Sequence, residues 1–415
     1  MRHGAFVIAL LLFALPSKAQ EEASHPTACP QTAVIRAAAQ VNLIREGLLQ
    51  LPIGDGLNTD VSPAAQQTVA AMKAALGDLI RAYALCIPAR PDAEQINQEL
   101  SDFGRAYQMP SDVIPVEKIP PDFGKFGFEL WFETKVFENP SLLGITAEFS
   151  IECGHDTVLI LFARSGGLWK EVLQWQKKPY VSVDGGTMAF GYGVSPPDDD
   201  GGWFLVTHEI APWCSSTWSG IRYSVLRPTA EPLRPKTLFS ADDFMWWGND
   251  DYGTLTVQKD AFDLRFHSAS LDAGVHNRVF IRHFSVIGDA VRRTQPVAVS
   301  ARDFADEWIV SPWQEAEQWS SSANLPILKQ AHAVWSRRKK AGNKLLEFYS
   351  MRRCSDAADH YQVEIGEETG PKFQTSRSFY FQVSGREAYT MLLVSEKPDA
   401  TCKGSNLLDQ DHEVK

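Results

Sequence analysis

The sequence predicts a mainly β protein of repeated antiparallel sheets, sandwich- or propeller-like, with an N-terminal α-helical hairpin and a small C-terminal α+β segment. Three observations carry this. Between residues 123 and 310, short runs rich in β-branched and aromatic residues alternate with Gly, Pro and Asp clusters. Before them, apolar residues recur at helical spacing. After them, two helical stretches lead into four strand-like runs.

Residues 1–19 have the make-up of a secretory signal peptide. Arg2 and His3 precede an unbroken apolar run over 5–15, Pro16 breaks it, and Ser17-Lys18-Ala19 places small residues where a signal peptidase reads. Cleavage is expected after Ala19, and the protein is expected to be exported, to a periplasm or the cell exterior. The run is too short for a permanent anchor, and nothing later approaches a membrane span.

Residues 20–109 form the helical region. Val34, Ile35, Val41, Leu43, Ile44, Leu48 and Leu49 give a first helix, and a turn-rich break follows at 52–58. Ser62-Pro63 supplies an N-cap with Pro at the first helical position. The second helix carries Val69, Met72, Leu76, Leu79, Ile80 and Tyr83 and stops before Pro88. Asp92 with Gln95 reads as a capping box for a third helix ending near Tyr107. Residues 110–122, with Pro110, Pro115, Pro120 and Pro121, read as a linker.

The β-rich region, 123–310, has strand-like runs at 128–136, 146–153, 157–164, 169–176, 203–210, 221–227, 254–258, 262–267 and 278–287. It also contains a repeat. Tyr223-Ser224-Val225-Leu226 leads to Ser240-Ala241-Asp242-Asp243-Phe244, and Phe284-Ser285-Val286-Ile287 leads to Ser300-Ala301-Arg302-Asp303-Phe304. Recurring strand units of this kind build stacked sheets or propeller blades. In the C-terminal segment, 311–415, helices are expected at 312–319 and 325–338, and strands at 345–349, 361–365, 378–383 and 389–394. The basic run Arg337-Arg338-Lys339-Lys340 suits an exposed helix C-terminus.

Six cysteines in an exported chain point to disulfides. Each consecutive pair falls in one compositional region, so Cys29–Cys86, Cys153–Cys214 and Cys354–Cys402 are the expected bonds. None stands in a CxxC or zinc-ligand pattern, which disfavours redox catalysis and structural zinc. The net charge of −11, more negative once Arg2 and Lys18 leave with the signal, argues against nucleic acid and anionic lipid as partners.

No GxSxG elbow, Walker A loop, GxGxxG fingerprint or HExxH motif is present, and no catalytic residue can be singled out. Two acidic loops are the positive signal. Asp198-Asp199-Asp200-Gly201-Gly202 precedes Trp203, and Asn249-Asp250-Asp251 follows Trp246-Trp247-Gly248. Asp199, Asp200, Trp203, Trp246, Trp247, Asp250 and Asp251 are therefore the candidate ligand-binding residues. Carboxylates on Gly-containing loops can wrap Ca²⁺, although neither loop has EF-hand spacing. The competing reading is that Asp, Asn and Gly are simply what tight turns require. No cofactor is expected beyond that possible calcium. Trp213 and Trp218 lie near the same loops; such residues suit either sugar rings or the core beside a disulfide.

Export, the repeated sheets and the missing catalytic signatures together favour a non-catalytic binding or interaction module, with carbohydrate or an envelope protein as partner. One alternative is a glycan-acting hydrolase using two carboxylates drawn from Asp199, Asp200, Asp250, Asp251, Glu209 and Asp243. Another is a structural cell-envelope protein.

Overall fold

The computed structural model describes residues 29–51, 60–105, 125–151, 154–182, 185–211, 218–246, 253–272, 277–341, 345–355, 357–369 and 374–408. The signal segment, the proline-rich linker, Trp213, Trp247, Asp250, Asp251 and the expected Cys153–Cys214 bond lie outside the described residues.

Three helices come first: α1 (Gln31–Leu49), α2 (Pro63–Ala84) and α3 (Ala93–Phe103). The Ser62 hydroxyl accepts from Ala65 N at 3.2 Å, and Pro63 occupies the first turn, where its missing N–H costs nothing. Asp92 accepts from the backbone of Glu94 and Gln95, but the Gln95 amide donates forward to Glu99, so only half the expected capping box forms. Cys29 is bonded to Cys86, tying the start of α1 to the end of α2 and making the pair an antiparallel hairpin.

Among the described residues sixteen strands follow in four antiparallel sheets of four, each ordered as the chain runs. Sheet 1 holds β1 (Leu130–Phe137), β2 (Leu142–Ile151), β3 (Gly154–Ser165) and β4 (Leu168–Gln176). Sheet 2 holds β5 (Ala189–Val194), β6 (Leu205–Ile210), β7 (Trp218–Arg227) and β8 (Lys236–Trp246). Sheet 3 holds β9 (Thr254–Val257), β10 (Ala261–Ser268), β11 (Arg278–Ile287) and β12 (Ala290–Arg293). Helices α4 (Ala301–Val310), α5 (Trp313–Ala316) and α6 (Leu325–Ala341) then lead to sheet 4, made of β13 (Leu345–Arg353), β14 (His360–Thr369), β15 (Gln374–Ser384) and β16 (Thr390–Ser395). Among the described residues strand outweighs helix 42% to 28%, and the class is mainly β.

The layers stack in sequence order. Val34, Met72 and Leu76 of the hairpin pack on Ile145, Phe149 and Ile160 of sheet 1. The other face of sheet 1, through Leu159, Leu161 and Leu173, meets Tyr192, Leu205 and Leu226 of sheet 2. Covered on both sides, β2 is buried along its whole length, so that Thr146, Glu148 and Ser150, which alternate with apolar residues, are buried as well. The far face of sheet 2, with Val206, Ile221 and Tyr223, meets Phe262, Leu264 and Phe284 of sheet 3. Phe304, Trp308 and Trp335 pack on Val363, Phe379 and Phe381 of sheet 4, which Cys354–Cys402 closes as expected.

Three strands are absent from the expected runs: β5, β8 and β12. In β5, Gly191 and Gly193 look like turn residues, yet they are there for close approach. A Cβ on Gly191 would stand 2.3 Å from the His208 ring, and one on Gly193 would stand 2.6 Å from Val257. The two stretches of the expected repeat take different structures in their second halves. Residues 223–226 and 284–287 both lie on the third strand of their sheet, in β7 and β11. Beyond that point Ser240 to Phe244 continue a strand, β8, whereas Ser300 caps α4 by accepting from Asp303 N. In β8 the equivalent hydroxyl, Ser240, is engaged across the ladder by Ser224 at 3.1 Å. Tertiary surroundings decide between two uses of one local sequence. Helix α4, grouped with the strands by sequence, packs into the core of sheet 4.

Two disulfides fit an extracytoplasmic protein. Among the described residues no helix is long and apolar enough to cross a membrane.

Candidate functional site

The acidic loop 198–202 is the β5–β6 turn. Asp198 Oδ1 accepts from Asp200 N at 3.1 Å and from Gly202 N at 2.7 Å, and Gly201 adopts φ +81°, where a side chain would be strained. Asp198 is thus spent on shaping the turn. The Asp199 side chain, 96% exposed, reaches Lys259 of the neighbouring β9–β10 turn at 2.5 Å, beside a cavity of about 310 Å³. Asp200 is exposed, and Trp203 is half-buried against the core between sheets 1 and 2.

Trp246 stands elsewhere. It pairs with Trp218 at the far end of the ladder, while Leu205, next to the acidic turn, aligns with Leu226. Eight residues of β7 separate the two rungs, roughly 26 Å of strand. The sheet therefore holds Asp199, Asp200 and Trp203 apart from Trp246. Among the described residues no group of three His, Cys, Asp or Glu side chains is placed to hold a metal ion.

Of the other candidate carboxylates, Glu209 and Asp243 are clasped by cations, and Asp250 and Asp251 lie outside the described residues. Glu209 accepts from Lys177 Nζ at 2.7 Å. Asp243 receives Arg282 through two bonds, 2.7 and 2.8 Å, and the Tyr223 hydroxyl at 2.9 Å. Burial first, and Asp243 next, raise the Tyr223 phenol well above its ordinary value.

The densest polar constellation was not foreseen. Glu307 of α4 accepts from Arg282 at 2.9 Å and Arg293 at 2.7 Å on one oxygen, and from Arg278 at 2.7 Å on the other. Asp306 pairs with Arg278 at 3.0 Å, and Glu315 takes the outer side of Arg293 at 2.7 Å. Burial alone would push the Glu307 carboxyl up. The charges of Arg282, Arg293 and Arg278 outweigh it and hold the group far below the usual carboxylate range. The signal for this cluster was present in β11. Arg278 and Arg282 alternate with Phe280 and Phe284, so cations occupy the strand face that ought to be apolar.

Over this network opens a cavity of about 450 Å³, walled by Tyr223, Phe239 and Phe284 and edged by Arg292, Glu315 and Gln318. Two further buried polar groups stand in sheet 1. Lys73 of α2 reaches Asp156 of β3 at 3.1 Å and donates to the carbonyl of Lys177 at 2.9 Å, while the Tyr180 hydroxyl donates to Asp156. Glu148 of β2 is 6% exposed and, among the described residues, has no ion-pair partner. Burial, helped by the charge of Glu133, pushes it up to about 8.

Scanned against protein-family models the chain matches none, and no curated protein matches it.

Proposed function

We propose that this is an exported, non-catalytic binding or interaction module of the periplasm or cell exterior, with carbohydrate or an envelope protein as partner. One observation carries the reading: among the described residues, three candidate acids, Asp199, Glu209 and Asp243, are committed to cations. Glu209 is held by Lys177, Asp243 by Arg282, and Glu307 by three arginines. General acid catalysis needs a carboxyl that keeps its proton beside one that does not, facing a cleft. A carboxylate fixed in its ionised form by several guanidinium groups is a structural clasp and a poor proton donor.

The hydrolase alternative draws support from Glu148, which holds a proton up to about pH 8 with the charge of Glu133 nearby. Its burial between two packed sheets weighs against contact with a substrate.

The test is thermal unfolding of the mature, oxidised protein with Ca²⁺, EDTA and a panel of soluble oligosaccharides, alongside product analysis on the same glycans. A ligand at a hundred times its Kd adds about 2.7 kcal/mol to the native state. A raised midpoint without turnover supports the module, and cleavage of any member overturns it.

A further inference from the structure

We propose that the part of β7 and β8 left exposed on the sheet 1 side of sheet 2 is a platform for a neutral oligosaccharide chain. The proposal rests on the binding-module reading and names its ligand and its site.

The sheet register lays out the surface. Trp218, Gly220, Arg222 and Ser224 of β7 stand opposite Trp246, Phe244, Asp242 and Ser240 of β8, on the side where Leu226 packs against sheet 1, and the Trp246 ring also lies edge-on to His267 of sheet 3. From Ser240 onward along the edge strand β8 the exposed positions are Ser240, Asp242 and Phe244, alternating with Ala241 and Asp243, which turn toward sheet 3. Phe244 is 54% exposed, a large aromatic left at the surface of a strand. Its ring lies parallel to that of Trp218, within 5°, with centroids 5.5 Å apart.

Gly220 sits directly across from Phe244. A Cβ there would find nothing nearer than 3.7 Å, so the missing side chain leaves a shallow trough beside the rings. One rung on, Arg222 and Asp242 pair at 3.7 Å with Asp242 78% exposed, and Ser224 and Ser240 share a hydroxyl contact. From Trp218 to Ser224 the stripe runs roughly 20 Å.

This order of chemistry fits a carbohydrate. The flat apolar faces can stack on the C–H faces of a pyranose, the trough gives a ring room, and the ion pair and hydroxyls offer donors and acceptors to ring hydroxyls. Charge narrows the choice. Arg222 and Asp242 neutralise each other within the stripe, on a chain of net charge −11, so neither a polyanion nor a polycation finds a complement there. A neutral chain does.

The experiment is calorimetric titration of the mature, oxidised protein with neutral gluco-, manno- and N-acetylated chito-oligosaccharides and with one uronic-acid oligomer, repeated with Phe244→Ala and Gly220→Leu. A neutral oligomer is expected to bind, and Phe244→Ala to weaken it by about tenfold or more, as loss of an aromatic anchor does. Gly220→Leu, which fills the trough without a clash at Cβ, is expected to weaken it comparably and keeps the test decisive if Phe244→Ala folds poorly. Binding of none of the neutral oligomers overturns the platform, as do preference for the uronic-acid oligomer or wild-type affinity in the folded variants. Cleavage of a bound oligomer would instead overturn the non-catalytic reading, leaving the platform to be judged by the same two variants.

Discussion

Arg282 of β11 and Glu307 of α4 meet at 2.9 Å, and each is also held by other charges: Arg282 by Asp243 of β8, Glu307 by Arg278 and Arg293. Two guanidinium bonds to Asp243 reach sheet 2 and one to Glu307 reaches the C-terminal helices, so a single side chain from sheet 3 joins three bodies. Glu307→Gln leaves three arginines facing a neutral amide in a site where the carboxylate is 1% exposed. Removing one partner of a buried charge cluster typically costs about 3–5 kcal/mol. Urea denaturation should show a loss of that order, whereas Asp199→Asn, at an exposed surface pair, should change little.

The pH dependence of stability should carry the signature of Glu148. Its carboxyl moves from 4.5 in the unfolded chain to about 8 in the folded one, so between those values the folded state binds more protons. Unfolding free energy should therefore be highest on the acid side of this window and fall as pH rises through it, by at most about 1.4 kcal/mol per pH unit. Glu148→Gln, an isostere of the protonated acid, should flatten the slope. A slope unchanged in that variant would remove Glu148 as its source.

Lys73 and Asp156 join α2 to β3 with exposures of 4% and 0%. Lys73→Met strands a carboxylate that burial already pushes above its ordinary value. A loss on the order of 3 kcal/mol is expected, and Lys73→Met with Asp156→Asn should cost less than the two single changes summed. Strict additivity in that cycle would count against coupling.

Reduction should act on the N-terminal hairpin. Cys29–Cys86 closes a loop of 57 residues, for which the chain-entropy model gives about 4 kcal/mol. Cys29→Ser with Cys86→Ser should lower the thermal midpoint and increase amide exchange in α1 and α2 before the sheets. Uniform exchange across the chain would argue against a local tether.

Local signals wrote much of this architecture legibly. The cap at Ser62, the two observed disulfides and the four C-terminal strands follow from turn chemistry, cysteine spacing and β-branched runs. What escaped depends on partners remote in sequence. Gly191 and Gly193 are strand residues only because His208 and Val257 lie against them, and Ser300 starts a helix where Ser240 sits in a ladder. The candidate site was harder still. Asp199 and Trp246 looked like neighbours in a string of turns and tryptophans, but strand length separates them, while Glu307 and its arginines, drawn from β11, β12 and α4, gather in one place.

Every residue of α4 from 301 to 309 is buried. Phe304 and Trp308 serve the core of sheet 4, while Asp306 and Glu307 face the arginines of sheet 3. A helix shared in this way belongs to neither neighbour alone. A chain cut at residue 310 would keep the carboxylates and strand Phe304 and Trp308 in water. One cut before residue 297 would leave Arg278, Arg282 and Arg293 without Asp306 and Glu307. The C-terminal sheet is consequently a poor candidate for transplantation as a cassette, and it and sheet 3 should melt together.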